Sequence, residues 1–92
     1  MRLLVVEDEK KLCDMIAKSL HQSGYEVDVC NDGEEALDMI YAEMYDLIVL
    51  DLNLPGVDGM EILRELRKED EETKVLILSA RSQIADKVEG WM

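Results

Sequence analysis

Three continuous apolar runs and one alternating run divide the chain at regular intervals. The continuous runs are Leu3 to Val6, Leu47 to Leu50 and Val75 to Leu78, and each is closed by a polar residue. Such runs are typical of strands that are buried on both faces of a parallel sheet. The fourth run, Tyr25 to Cys30, alternates apolar with acidic residues, which is typical of a half-exposed edge strand. The pattern therefore predicts three central strands and one edge strand.

Segments with a helical period separate the predicted strands. The first helix carries an apolar stripe and is followed by Gly24, which suits a C-terminal cap. The next two helices are predicted from acidic pairs at the spacing of a capping box, Asp32 with Glu35 and Asp58 with Glu61. Each pair precedes a further apolar stripe. The residues of the three stripes are Leu12, Ile16 and Leu20, then Ala36, Leu37 and Ile40, then Ile62, Leu63 and Leu66.

Strands that alternate with helices predict a parallel sheet with right-handed crossovers and with helices on both faces. A length of 92 residues leaves room for one domain, residues 1–92. If the alternating strand lies at the edge, the first strand lies between it and the third, and the strand order begins 2-1-3-4. The predicted class is therefore a doubly wound α/β fold. In such sheets, ligands bind at the carboxyl ends of the strands where the winding reverses, here strands one and three.

Charge and composition narrow the classes of partner. The chain has 22 acidic and 10 basic residues and a formal net charge of -12. That balance argues against direct binding to nucleic acid or to anionic membranes. The sequence contains no apolar run long enough for a membrane span or a signal peptide, so we expect a soluble, cytoplasmic protein. Cys13 and Cys30 lack the spacing of a metal or redox pair, and we expect both to be reduced core thiols.

Polar residues gather where the first and third strands end. Glu7 and Asp8 follow the first strand and Asp51 closes the third, so the predicted topology brings three carboxylates together. Like charges at such short distances raise one another's pKa unless a cation is present, and a magnesium ion suits oxygen ligands of this kind. The backbone carbonyl of Asn53 can turn toward the same ion. Ser79 closes the fourth strand, where its hydroxyl could hydrogen-bond a ligand oxygen held by the ion.

Three segments occur in this order along the chain: LLVVEDE, DLIVLDLNLPGVDG and VLILSA. Together they resemble the receiver domain of two-component response regulators, over the whole chain, and this resemblance implies a flavodoxin-like fold. It implies that Asp51 accepts a phosphoryl group from a sensor histidine kinase, and that Glu7, Asp8 and the Asn53 carbonyl help to bind Mg2+. It also implies that Ser79 contacts the phosphoryl group and shifts on activation. The expected function is that of a phosphoacceptor signalling module, which is not a metabolic enzyme.

The resemblance also implies elements that these 92 residues do not match. Receiver domains continue through a complete fourth helix, a fifth strand and a fifth helix, and the fifth strand carries a lysine that contacts the phosphoryl group and an aromatic switch residue. Here a fourth helix is predicted to begin at Ser82, and the sequence ends at Met92. We therefore expect a truncated receiver domain that lacks the fifth strand and helix. Because the run Val75 to Leu78 would then lie at a sheet edge, we expect the chain to form a homodimer.

Other interpretations of the same residues stay open at this stage. In one alternative, the whole role of Asp51 is to cap the turn before Pro55. In another, Glu7 and Asp8 are first-turn acids that interact favourably with the dipole of the first helix. The chain could be a structural or assembly fragment without signalling activity. It could also be an aspartate-nucleophile phosphatase of the haloacid-dehalogenase type, although such enzymes carry a second aspartate at the position that Asn53 occupies here.

Overall fold

A four-stranded parallel sheet forms the centre of this computed structural model, which describes residues 1–78. The strands are β1 (Arg2–Val6), β2 (Glu26–Cys30), β3 (Leu47–Asp51) and β4 (Lys74–Leu78). Their order across the sheet is β2-β1-β3-β4, and every neighbouring pair is parallel. The predicted doubly wound α/β fold and the strand order 2-1-3-4 are thereby confirmed. The predictions for Ser79 and for a helix from Ser82 lie outside the described residues.

Three helices cover the two faces of the sheet in residues 1–78: α1 (Lys10–Gln22), α2 (Gly33–Ala42) and α3 (Gly59–Glu69). α1 packs on one face, where its Cys13 is buried with Val5 and Val49. α2 and α3 pack on the other face over the larger core cluster. None of these three helices is long and apolar enough to cross a membrane.

The burial of the strands follows the apolar pattern of the sequence. Leu3 to Val6 in β1 are 1% exposed or less, because β2 and β3 flank this strand and helices cover both of its faces. Within residues 1–78, β2 pairs with a strand on one side only, and its Val29 remains 40% exposed. The prediction that the alternating run forms an edge strand is therefore confirmed, with the strand beginning at Glu26 rather than at Tyr25.

Aspartate caps begin α2 and α3, as the capping-box spacing predicts. The Asp32 side chain accepts a hydrogen bond from the Glu35 N–H at 2.8 Å. Asp58 accepts one from the Met60 N–H at 2.8 Å instead of the predicted Glu61, because the Glu61 N–H bonds the backbone carbonyl of Asp58. The spacing thus located both helix starts but not the bond made by the second cap.

The apolar stripe of α1 differs from the prediction at one position. Ile16 and Leu20 pack against the core beside the sheet, whereas Leu12 is 37% exposed and the adjacent Cys13 is fully buried. Cys13 and Cys30 are both free and buried, as expected for core thiols. They belong to separate core clusters, Cys13 under α1 and Cys30 under α2 and α3.

Candidate functional site

Three carboxylates meet at the carboxyl edge of the sheet, between β1 and β3. Glu7 and Asp8 directly follow β1, and Asp51 is the last residue of β3. The register pairs Val6 with Leu50, so Glu7 and Asp51 are the next residues along two neighbouring strands. One carboxylate oxygen from each of the three acids lies within 4.8 Å of those from the other two. The structure therefore brings the three acids together where the winding of the sheet reverses.

Burial differs among the three acids. Glu7 is 5% exposed and Asp51 is 8% exposed, whereas Asp8 is exposed to solvent. Burial raises the pKa of the Glu7 carboxyl from 4.5 to about 7, and the nearby Asp51 and Asp8 act in the same direction, against a hydrogen bond from the Glu9 N–H that lowers it. Without a cation, Glu7 therefore holds a proton to a higher pH than an ordinary glutamate does.

Two of the carboxylates are held by the backbone that follows them. Glu7 Oε1 accepts a hydrogen bond from the Glu9 N–H, and Asp51 Oδ1 accepts one from the Asn53 N–H, both at 3.0 Å. In each case the donor lies two residues after the acid, so the start of the loop orients the side chain. The four ion pairs within residues 1–78 involve none of the three acids. A bound cation would balance their charge.

An open depression of about 470 Å³ lies above the carboxylates. The three acids, Glu9 and Asn53 form its polar part, and α1 and β4 contribute apolar side chains. The apolar lining residues are Leu12, Ile16 and Leu78. The volume of the depression is within the range of small-ligand sites.

A larger depression, of about 650 Å³, lies at the opposite edge of the sheet. Tyr45 and Thr73, which precede β3 and β4, line it together with the C-terminal ends of α2 and α3. Of the predicted site residues, the four that lie within residues 1–78 are absent from its lining. Because ligands of doubly wound sheets bind at the carboxyl ends of the strands, the smaller depression is the candidate site.

The structure distinguishes between two interpretations of the acids. α1 begins at Lys10 with Glu9 as its N-cap residue, and its first turn contains no acidic residue. The interpretation of Glu7 and Asp8 as first-turn acids of this helix is therefore wrong. Asp51 does orient the turn that follows it, through its bond to the loop backbone, but it does so from within the carboxylate cluster.

Asn31 supports the site, although the sequence analysis assigned it no role. Its Nδ2 donates to the backbone carbonyl of Glu7 at 2.8 Å, and the Glu7 N–H donates to the carbonyl of Cys30 at 3.0 Å. These bonds continue the contact between β1 and β2 beyond the last pair of the strand ladder, and they fix the backbone that carries Glu7. The only signal in the sequence was that Asn31 follows the second strand, at the same edge as Glu7.

Comparison with known proteins finds matches along nearly the whole chain. The family model of the response regulator receiver domain matches residues 3–92. Among curated proteins, the transcriptional regulatory protein TctD of Salmonella typhimurium is 47% identical over 98% of this chain. The aligned region is 40% of TctD, so the chain spans less than half the length of this relative.

Two solved structures of the response regulator TrrA have a similar fold. Wild-type TrrA of Thermotoga maritima, in complex with Mg2+-BeF, matches with a TM-score of 0.85 and 35% identity, over 97% of this chain and 76% of that chain. TrrA in complex with the histidine kinase ThkA matches with a TM-score of 0.79 and 37% identity, over 94% of this chain and 78% of that chain.

Proposed function

The chain belongs to the family of response regulator receiver domains, and from this premise we propose that it is a phosphoacceptor module of two-component signalling. Asp51 is the proposed acceptor of the phosphoryl group. The observation that carries the proposal is the carboxylate cluster, in which Asp51 is 8% exposed and lies within reach of Glu7 and Asp8. A sensor histidine kinase is the proposed donor, a partner that TrrA has in its complex with ThkA.

Mg2+ is the cofactor that we propose for this site. Three carboxylates that make no ion pair within residues 1–78 form a set of hard oxygen donors, which Mg2+ prefers. Glu7, Asp8 and Asp51 would contribute side-chain oxygens, and Asn53 its backbone carbonyl. The presence of Mg2+-BeF in TrrA supports this choice of ion. When bound, the ion supplies positive charge beside the transferred phosphoryl group.

The transfer step uses residues of the chain itself. A carboxylate oxygen of Asp51 attacks the phosphorus of the donor phosphohistidine, and the new P–O bond forms in line with the P–N bond that breaks. The electron pair of the P–N bond stays on the imidazole, which takes a proton from water. The Asn53 N–H holds Oδ1 of Asp51 at 3.0 Å and thereby restrains the carboxylate. Ser79, which follows Leu78 in the sequence, is the proposed hydroxyl contact to the phosphoryl group.

We propose that the chain accepts one phosphoryl group and is not an enzyme that turns over. Phosphatases with an aspartate nucleophile use a second carboxylate two residues later, and Asn53 occupies that position here. The other alternative, an assembly fragment without signalling activity, predicts that the carboxylate cluster binds no cation and accepts no phosphoryl group. Phosphoryl incorporation, phosphate release and Mg2+ binding, measured on the same preparation, separate the three functions.

These 92 residues are proposed to contact proteins rather than nucleic acid or membranes. Their net charge of -12 repels the phosphates of nucleic acid and of anionic lipids. TctD is named a transcriptional regulatory protein, but the region that aligns with this chain is 40% of it, so its name does not assign a DNA contact to this region. A cytoplasmic location is part of the same proposal.

Phosphoryl incorporation tests the proposed function. The chain is incubated with Mg2+ and a small phosphodonor, and the acyl phosphate is measured by intact mass. We expect one phosphoryl group on the wild type and none on Asp51→Asn. Asp38→Asn, at an exposed position of α2, is the matched control and should be labelled like the wild type.

Three results would contradict the proposal. Equal labelling of Asp51→Asn and the wild type would exclude Asp51 as the acceptor. Continuous release of phosphate would favour a phosphatase. A wild-type chain that neither binds Mg2+ nor becomes labelled would favour an assembly fragment.

A further inference from the structure

Two helices on the same face of the sheet begin with an Asp-Gly pair, and both glycines contact the loop that follows β3. α2 begins at Gly33 after Asp32, and α3 begins at Gly59 after Asp58. Both glycines are buried. The loop comprises residues 52–58 and is called the β3–α3 loop below.

Both contacts are too close for a residue with a side chain. A Cβ atom on Gly59 would lie 2.5 Å from the Leu52 Cα and 2.7 Å from the Asp51 carbonyl oxygen. A Cβ atom on Gly33 would lie 2.3 Å from the Val57 carbonyl oxygen and 2.9 Å from the Val57 Cβ. Real Cβ atoms essentially never approach other heavy atoms within 3.0 Å. Glycine therefore allows the two helices to start directly against the backbone of the β3–α3 loop.

Hydrogen bonds from the same two glycines hold the loop. The Gly59 N–H donates to the Leu52 carbonyl at 3.2 Å, and the Gly33 N–H donates to the Pro55 carbonyl at 3.3 Å. Asn53, whose own carbonyl is the proposed ligand, lies between these two anchored residues. Gly33 itself does not line the depression above the carboxylates. Its contact therefore reaches the site only through the β3–α3 loop.

We propose that Gly33 is a positioning residue for the cation site, which acts through the β3–α3 loop on the backbone carbonyl of Asn53. The inference rests on the proposed function, because it assigns Gly33 a role in the same site. The physical basis of the inference is that Mg2+ requires near-ideal octahedral geometry. A small displacement of one ligand, such as the Asn53 carbonyl, should therefore weaken binding. Gly59 anchors the loop next to Asp51, and Gly33 anchors it at Pro55 and Val57.

The substitution Gly33→Ala adds one methyl group at this contact. Either the Val57 carbonyl oxygen retreats by at least 0.7 Å, from 2.3 Å to the 3.0 Å limit, or the start of α2 moves and lengthens the bond from the Gly33 N–H to Pro55. Both movements change the path of the loop that carries Asn53. Because alanine is a better helix former than glycine, a loss of Mg2+ affinity could not be assigned to a weaker α2.

The test compares Gly33→Ala with Ala36→Gly in the full 92-residue chain. Ala36→Gly weakens the same helix without adding an atom beside the loop, and it is the matched control. The readouts are the amide NMR resonance of Asn53 in the metal-free protein and the dissociation constant for Mg2+. We expect Gly33→Ala to shift the Asn53 resonance and to raise the dissociation constant about tenfold. Ala36→Gly should leave both close to the wild type.

Val57→Gly keeps the Val57 carbonyl but removes the side chain that lies beside Gly33, and it serves as the second variant if Gly33→Ala does not fold. It too should shift the Asn53 resonance and weaken Mg2+ binding. Unchanged Mg2+ affinity in the folded variant, or an equal loss in Ala36→Gly, would overturn the inference. A wild type that does not bind Mg2+ would instead overturn the proposed function, while the Asn53 resonance would still report whether Gly33 sets the path of the loop.

Discussion

Glu7 and Asp51 lie beside each other across the pairing of β1 with β3, each one residue beyond the paired Val6 and Leu50. Both are almost fully buried, so their carboxylates meet where water screens charge least. Burial is the largest cause that raises the pKa of Glu7, and the neighbouring Asp51 raises it further. Because parallel strands end at the same edge of a sheet, the topology creates this pair, and we expect the stability of the protein to depend on pH through it.

Stability without Mg2+ should depend on pH through Glu7. Its pKa rises from 4.5 to about 7 on folding, so the folded state binds more protons in this window and the free energy of unfolding falls as the pH rises through it. This contribution is fully present below pH 4.5 and lost above about pH 7. The loss is on the order of 3 kcal/mol.

Urea denaturation at about pH 5 and about pH 8 measures this contribution. The control is Glu7→Gln, which keeps the shape of the side chain and an oxygen that can accept from the Glu9 N–H but does not titrate. Its stability should change less with pH than that of the wild type. An equal pH dependence of the two proteins would contradict the prediction.

Mg2+ should raise the thermal midpoint of the wild type, and more at about pH 8 than at about pH 6. A ligand that binds only the folded state stabilises it, and at the lower pH the ion must displace the proton of Glu7. Thermal scans with and without Mg2+ measure the shift. Asp51→Ala should lose most of it, and the exposed Asp38→Asn should keep it. The prediction fails if the shift is the same at both pH values or in both variants.

Tyr45→Phe should destabilise the sheet at its amino edge. The Tyr45 hydroxyl donates to Asp28 Oδ2 at 2.7 Å, and this bond, with those from Arg2, lowers the pKa of Asp28. We expect a loss of about 1 kcal/mol at neutral pH. The contribution is present above pH 3.8 and is lost as the pH falls through the lower folded-state pKa, so the loss should shrink in acid.

Chemical denaturation of the tyrosine variants at neutral and acidic pH measures this effect. Tyr41→Phe is the matched control, because its hydroxyl bonds Glu65 on the exposed surface. Because that bond is exposed to water, we expect it to contribute less to stability than the bond from Tyr45 to Asp28. If Tyr41→Phe lowers the free energy of unfolding as much as Tyr45→Phe does, the bond from Tyr45 to Asp28 contributes no more to stability than an exposed bond.

Phosphoryl transfer to a polypeptide of these 92 residues should be slower than transfer to a longer chain that includes the lysine of the family. A lysine contact to the phosphoryl group is a charge-assisted hydrogen bond worth about 1.5 to 3 kcal/mol, or roughly one to two decades in rate. Rates of incorporation from one small phosphodonor are compared. The longer chain with this lysine replaced by alanine is the control and should be as slow as the 92-residue polypeptide. Equal rates and yields in the 92-residue polypeptide, the longer chain and its alanine variant would show that the lysine does not contribute to the transfer.

The 92-residue polypeptide should form a symmetric homodimer. Within residues 1–78, β4 pairs only with β3 and so lies at the edge of the described sheet, with Leu76, Ile77 and Leu78 partly buried. A second copy can pair with this edge, and two-fold closure then leaves no further edge exposed.

Light scattering coupled to size exclusion, over a range of protein and salt concentrations, measures the association. Repulsion between two chains of charge -12 opposes the dimer. Because salt screens this repulsion, association should strengthen as the ionic strength rises. A compact monomer at high protein and high salt concentration would contradict the prediction.

The sequence by itself determined the order of the strands and the edge at which the acids lie. The continuous apolar run of β1 requires burial on both faces, whereas the acidic residues that alternate in β2 allow an edge position. With β1 next to β3 in a parallel sheet, Asp51 had to end at the same edge as Glu7. The capping pairs located the starts of α2 and α3 because a short acidic side chain satisfies N–H groups that a helix leaves unpaired.

Only the tertiary structure decided how deeply each side chain lies and which backbones touch. Glu7 is buried while the adjacent Asp8 is exposed, and Cys13 rather than Leu12 is buried under α1. Periodicity indicates the face of an element, but the depth of a side chain depends on neighbours that other elements contribute. The contact of Gly33 with the β3–α3 loop joins backbones that are distant in the sequence. No local pattern predicts such a contact, because only close packing of the whole sheet and its helices brings these backbones together.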